Sequence, residues 1–347
     1  MTQPIAILGS GGMAMACAVL LSERSRCDVR IWTRSPERAA ELLRDKENRK
    51  LLPGVPIPPG VHVSGDISEV VDGAGLIVAA IPTRFLRDTL TPLAGEIPAG
   101  LPAVSVAKGL EIGTLMRPSQ IILDVLGPRD VAALGGPSHA EEIARRMPAG
   151  VVAASSNRQL AERVQNLFST DRFRVYTNPD IVGVELAGAI KNVIAIAAGI
   201  CDGLGFGDNA KSGLVTRGLV EMIRFGTTLG AEAETFNGLA GLGDLVTTCF
   251  SRHSRNRHVG ECLGKGQPLD QIVAEMSGIA EGITTTRSIA ELARQRGIEM
   301  PIAAEVYAVL FEQKSPLEAT TSLMMRPPKD ERQGHAPAPG AVRPTSD

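Results

Sequence analysis

The chain has 347 residues, 44% of them hydrophobic and 21% charged, which is enough apolar material for one or two domains with their own cores. Its 36 basic and 38 acidic residues leave a formal net charge of −2, so no global field draws it to nucleic acid or to an anionic membrane surface. The 37 glycines point to many tight turns and close backbone approaches.

Residues 4–8 (PIAIL) form a short apolar run broken at Gly9, MAMACAVLLSE predicts a helix ending near residue 23, and DVRIW at 28–32 predicts a second strand. This strand, glycine turn, helix, strand succession is the parallel crossover unit. Further strands are predicted at VHVSG, at GLIVAAIP (75–82), at AVSVAKG (103–109), at VAALGGPSHA (131–140, with a glycine-rich turn), at AGVVAAS (149–155) and at FRVYT, with helices at RFLRDTLTPLAG and RQLAERVQNLFST. Such apolar strands need helices over both faces of their sheet. After Pro179 the chain reads as helix after helix, at 183–200, 210–229, 268–275 and 284–296. The expectation is an α/β Rossmann-type domain over 1–185 and a predominantly helical domain over 186–326. The polar, proline-rich residues 327–347 are expected to form a disordered tail, too poor in apolar groups to offset the entropy of ordering.

The apolar stretch IVGVELAGAIKNVIAIAAGI carries Glu185 and Lys191, which argues for a buried helix and against a membrane span. The N-terminus has no basic segment ahead of its apolar run, so no signal peptide is expected. Cys17, Cys27, Cys201, Cys249 and Cys262 are scattered and odd in number, as expected of reduced thiols in a cytoplasmic protein, and no Cys/His cluster has metal spacing.

Gly9-Ser10-Gly11-Gly12-Met13-Ala14 matches G-x-G-x-x-G/A directly between the first strand and the first helix. Gly9 allows the tight turn, Gly11 lets the backbone approach a pyrophosphate, and the small Ala14 permits close helix packing. The helix start then offers unpaired amides to the phosphates of a dinucleotide. At the end of the second strand, Trp32-Thr33-Arg34-Ser35 has no acid for a ribose hydroxyl. Arg34 can instead pair with a 2′-phosphate, with Arg38 assisting, so NADP(H) is favoured and NAD(H) is left open.

Three further residues carry chemistry. Lys108 ends a strand, where the crevice of an open parallel sheet collects its ligand and an ammonium reaches a phosphate or carbonyl oxygen. Lys191 lies in the apolar helix ELAGAIKNVIAIAAG, with Ala187 and Gly188 leaving room beside it. A buried ammonium is costly unless paired or chemically employed, so Lys191 is a candidate for catalysis or substrate contact. Asp244 follows a run of glycines that can present its carboxylate, and Ser251–His258 concentrates donors suited to a phosphate or oxyanion pocket. His253 and His258 read as neighbours of that pocket and not as metal ligands.

On GSGGMAMA, IWTR, VAKGLE, GGPSHA, TNPDIVGVELAGAIKNVIAIAAGI, GLGDLVTTC, SRHSRN and AEGITTT, the chain resembles the bacterial-type NAD(P)-dependent glycerol-3-phosphate dehydrogenases over residues 3–325. The resemblance implies reversible reduction of dihydroxyacetone phosphate to sn-glycerol 3-phosphate, feeding phospholipid synthesis, without a metal. By it, Lys191 matches the general acid/base, with Lys108 and Asp244 in the same site. Gly136 and Ser138 match substrate-loop positions, and Ser254, Arg255 and Asn256 match the group that receives the substrate phosphate. Gly12, Met13, Arg34, Ala140 and Glu281 match cofactor positions, and Lys108 and Arg255 face both ligands. Departures are Ala14 for a third glycine, Met13 for an aromatic residue and His139 for phenylalanine. Rival readings are a 2- or 3-hydroxyacid dehydrogenase and a nicotinamide-sensing protein; a homodimer is left open.

Overall fold

A strand buried along its whole length needs cover on both faces, and β1 (Ile5–Leu8) and β4 (Leu76–Ala79) are such strands. The computed structural model describes residues 3–23, 28–276, 278–328 and 330–331. Cys27 and residues 332–347 of the expected tail lie outside the described residues. Strands β1 and β4 sit in an eight-stranded sheet with β2 (Val29–Trp32), β3 (His62–Ser64), β5 (Ala103–Ser105), β6 (Val131–Gly135), β7 (Ala149–Ala154) and β8 (Phe173–Asn178). The order is β3-β2-β1-β4-β5-β6-β7-β8. Neighbours are parallel except β6 against β7, so the first six strands form the 3-2-1-4-5-6 dinucleotide-binding arrangement and the last two run the other way.

Alternation along β1 separates two apolar layers. Ile5 and Ile7 pack with Leu21 of the helix Gly12–Glu23 and with Val164 and Phe168 of the helix Arg158–Phe168. Ala6 and Leu8 pack on the other face with Val70, Leu86 and Ile121, from the helices Ile67–Val71, Thr83–Leu90 and Pro118–Leu126. The expected Rossmann-type arrangement, followed by a helical region, is what the chain adopts.

The helical region is built on Ile181–Gly203, in which every residue from Gly183 to Cys201 is buried. This is the one described helix long and apolar enough to cross a membrane, and 89% of its most apolar window is buried inside the protein, as the core of a helical domain would be. Asp180 starts it: Oδ1 accepts from the Gly183 amide at 2.7 Å, and Oδ2 accepts from the Glu232 amide and the Thr235 hydroxyl. Glu185 ties the helix to the sheet region by accepting from the Ser119 amide (2.7 Å) and hydroxyl (2.6 Å) and from Arg117.

The helix Arg255–Gly264 crosses this central helix with backbone against backbone. A Cβ on Gly199 would lie 1.9 Å from the Arg257 carbonyl oxygen, one on Gly203 2.2 Å from that of Glu261, and one on Gly260 1.9 Å from that of Ile196. Glycine is required here by space. Gly260→Ala gains about 1 kcal/mol of helix propensity. It must also push apart two backbones that have no rotamer to yield, a strain of about 3 kcal/mol. A net loss of stability is expected in urea unfolding, and a variant as stable as the parent would show that the helices can separate freely.

Candidate active site

The strand ends that face the helical region form a cleft of about 780 Å³. Just before the residues that line it, Gly9 has φ +114°, and a Cβ there would stand 2.7 Å from the Ala80 carbonyl oxygen, so only glycine lets β1 turn beside β4. A Cβ on Gly11 would meet nothing within 4 Å, because its backbone faces open space. Gly12 approaches the Leu51 carbonyl and the Ala140 methyl, and with Met13 it lines the cleft at the start of the helix Gly12–Glu23. The first amides of that helix have no intrahelical acceptor and supply an anion site. Ala14 is fully buried in the core, where its methyl group is accommodated. Of the two arginines beyond β2, Arg34 is exposed and outside the lining. Arg38 lines the cleft, held by Glu41 (2.6 Å) and Asn48 (2.8 Å). Lys50, not singled out from sequence, lines it as well.

Deeper in, the structure brings Lys108, Lys191 and Asp244 together from three distant parts of the chain. Asp244 begins the helix Asp244–Phe250, immediately after a π-helical turn over Leu239–Gly243. A Cβ on Gly241 in that turn would lie 2.0 Å from the Phe236 carbonyl oxygen, which accounts for the glycine. Asp244 Oδ1 accepts from Lys191 Nζ at 2.8 Å, and Oδ2 accepts from Lys108 Nζ at 2.7 Å. Lys108 also donates to the Gly136 carbonyl (3.0 Å) and to Ser138 Oγ (3.1 Å), while Gly188 leaves room for its stem. Lys191 donates to Thr248 Oγ1 at 2.5 Å, and that hydroxyl donates in turn to the Asp244 carbonyl at 2.6 Å. An ammonium has three donors. All of Lys108's are engaged, and one of Lys191's remains.

Burial lowers Lys191 to about 8, with Lys108 adding to the fall and Asp244 opposing it. Burial pushes the Asp244 carboxyl up, but the two ammonium groups outweigh it and hold the acid below its usual range. The centre is therefore a carboxylate shared by two cations, one of them close to releasing its proton.

At the other wall, Ser254 caps the helix Arg255–Gly264, accepting from the Arg257 amide at 3.2 Å. Asn256 is oriented from both ends, donating to Asn192 Oδ1 and accepting from the Gly282 amide, each at 2.9 Å. Arg255 is exposed to the cleft and packs over Gly278, where a Cβ would lie 2.8 Å from the guanidinium carbon. Glu281 lines the same wall and accepts from the Thr83 amide at 3.2 Å; burial pushes it up to about 7. His139 and Ala140 line the cleft opposite. Thr248 and Asn192 were not singled out from sequence. Thr248 follows Asp244 by one helical turn, a spacing that could have pointed to it.

The model of the NAD-dependent glycerol-3-phosphate dehydrogenase N-terminus matches residues 4–161, and that of the C-terminus matches residues 180–321. A Prosthecochloris aestuarii protein named glycerol-3-phosphate dehydrogenase, NAD(P)+, is 49% identical over 330 residues, covering 94% of this chain and 99% of that protein. The chain belongs to the NAD-dependent glycerol-3-phosphate dehydrogenase family. A Moorella thermoacetica protein of the same name is 46% identical over 327 residues, 94% of this chain and 97% of that one. The crystal structure of glycerol-3-phosphate dehydrogenase from Coxiella burnetii superposes with a TM-score of 0.90 at 36% identity, over 94% of this chain and 99% of that one. The glycerol-3-phosphate dehydrogenase fold thus spans both the sheet and the helical region.

Proposed function

We propose that the chain catalyses the reversible reduction of dihydroxyacetone phosphate to sn-glycerol 3-phosphate with NADPH or NADH, feeding phospholipid synthesis. The observation that carries this reading is the Lys191–Asp244–Lys108 centre, set in one cleft between a glycine-rich dinucleotide turn and a turn of phosphate-binding groups. The open space over Gly11 and the helix start at Gly12 and Met13 fit a pyrophosphate. Gly9, Ala140, Lys108, Arg255 and Glu281 border the rest of the cofactor, with Arg34 and Arg38 toward a 2′-phosphate. When bound, the reduced nicotinamide supplies the hydride that the ketone carbon takes up.

Every other requirement falls to the protein. Ser254, Arg255 and Asn256 anchor the substrate phosphate by charge-assisted and amide hydrogen bonds. Gly136, Ser138 and Lys108, the lysine exchanging one of its three present acceptors for a substrate oxygen, hold the carbonyl end in register, which places the reacting atoms and so contributes to turnover as well as to binding. Negative charge grows on the ketone oxygen. The unengaged donor of Lys191 meets it in a buried setting where such contacts are worth more than in water, and the proton then transfers to the oxygen. In the reverse direction the neutral lysine removes the hydroxyl proton. Asp244 keeps the ammonium in place and restores its charge balance. The reading includes a cytoplasmic location, supported by free thiols at Cys17, Cys201, Cys249 and Cys262.

The test is initial-rate oxidation of NADPH, and separately of NADH, by the purified chain with dihydroxyacetone phosphate. Turnover with either is expected, with NADPH preferred; a folded sample that oxidises neither would end the reading. The Arg34→Ala, Arg38→Ala double variant should raise KM for NADPH by about tenfold, the loss of one charged hydrogen bond. KM for NADH should change far less, and equal changes would remove the two arginines from cofactor choice.

A further inference from the structure

One polar group in the cleft is used by nothing described so far. His139 sits at the start of the short helix Ala140–Ala144, and its ring lines the cleft with its centroid 6.0 Å from that of His253. Its Nε2 is buried and has no hydrogen-bond partner. A buried, unpaired donor or acceptor costs about 1–3 kcal/mol, so a merely structural ring at this position would be better without its nitrogens. The ring stands one residue beyond Ser138, a partner of Lys108, and faces the wall that carries His253, Ser254 and Arg255. It therefore occupies the span between the lysine centre and the phosphate-binding turn. Burial first, and then the Lys191 and Lys108 charges, hold the imidazole neutral by lowering it to about 4. A neutral imidazole carries one N–H, and both the ketone and the phosphate offer acceptor oxygens.

We propose that His139 is a specificity-determining residue whose Nε2–H donates to an oxygen of the phosphorylated three-carbon substrate when it fills the cleft. This rests on the function proposed above. The free protein carries an unmet hydrogen bond that the substrate satisfies, so the site discriminates against ligands with no oxygen at that point.

The experiment compares the full chain with His139→Phe, His139→Gln and His139→Asn, measuring kcat, KM for dihydroxyacetone phosphate, KM for NADPH and the melting temperature without ligand. His139→Phe keeps the ring and removes both nitrogens. It should raise KM for dihydroxyacetone phosphate by about fivefold to twentyfold, the worth of one hydrogen bond, with KM for NADPH nearly unchanged. Its unliganded melting temperature should be equal or higher, because an unpaired buried group has gone. Glutamine reaches the Nε2 position and should restore most of the substrate KM, whereas the shorter asparagine should not. The glutamine–asparagine contrast decides the matter even if the phenylalanine variant fails to fold. A substrate KM that is unchanged in all the variants, or a change in KM for NADPH instead, overturns the proposal. If the parent chain itself does not turn over dihydroxyacetone phosphate, the function falls and this assignment with it.

Discussion

Lys191→Ala should reduce ketone turnover by about 10²–10⁴-fold, the usual span of a positioned general acid. Binding of NADPH, followed by fluorescence titration, should stay close to that of the parent. The split follows from geometry. Lys191 projects from the buried helix Ile181–Gly203 toward Asp244 and Thr248, whereas the glycine-rich turn lies at the end of β1 and offers open space over the Gly11 backbone. Removing the side chain also removes a buried ammonium whose desolvation is unfavourable, so the variant should fold with Asp244 still paired to Lys108 at 2.7 Å. Loss of cofactor binding together with turnover would point to collapse of the site and would contradict this account.

The same lysine sets a pH signature. With its ammonium lowered to about 8, the form able to donate a proton is depleted above that pH, and reductive kcat/KM should fall about tenfold per unit once past it. Oxidation of sn-glycerol 3-phosphate needs the neutral amine and should rise through the same window. Matched profiles in the two directions would take proton transfer away from Lys191.

The second large effect is expected at Asp244. Asp244→Asn keeps the side-chain volume but leaves two ammonium groups facing one neutral amide. Breaking a buried ion pair by removing one partner costs about 3–5 kcal/mol, and here one partner serves two cations. Turnover should fall with stability, because the donor on Lys191 loses its anchor. The pH dependence separates this from ordinary misfolding. A lysine lowered in the folded state releases its proton at a lower pH than in the unfolded chain. The unfolded chain therefore binds more protons between about 8 and the normal lysine range, and stability rises with pH across that window. Without the carboxylate the folded value drops further and the window opens lower, so chemical denaturation should find the variant's deficit shrinking from pH 7 to pH 9. A deficit that is constant over this range would show that the carboxylate does not balance Lys191.

Much of this arrangement was legible in the residues. The PIAIL–Gly9 break, the glycine spacing and the following Ala- and Leu-rich run identify a strand, turn and helix because each element has its own periodicity. Lys191 was legible because a cation within an apolar helix is costly enough to need a reason. Other features leave no such mark. The reversal of β7 and β8 is invisible, since an apolar strand reads the same in either direction. The helix Pro36–Asp45 buries only Ala39 and Leu42, too few apolar positions for a periodic stripe, although Ser35 caps it and Pro36 opens its first turn. Arg38, read from the sequence as an assistant to Arg34, is the one of the two that lines the cleft, and only the turn of the helix decides that. Asn192 meets its partner Asn256 64 residues away and Thr248 meets Lys191 57 residues away, so although Thr248 lies one helical turn from Asp244, its contact with the lysine is visible only in the fold.

The bare-backbone crossing at Gly199, Gly203 and Gly260 has a consequence for which molecules the cleft can accept. Lys191 and Asn192 lie on one of the crossed helices and Arg255 and Asn256 on the other, and with no side chain between the two backbones there is nothing compressible to adjust their spacing. Under the function proposed above, the pair works as a fixed gauge between the lysine that meets the ketone oxygen and the groups that hold the phosphate. On that reading a homologue one carbon shorter or longer is expected to satisfy one jaw or the other but not both, and selection by length would originate in the meeting of two helices.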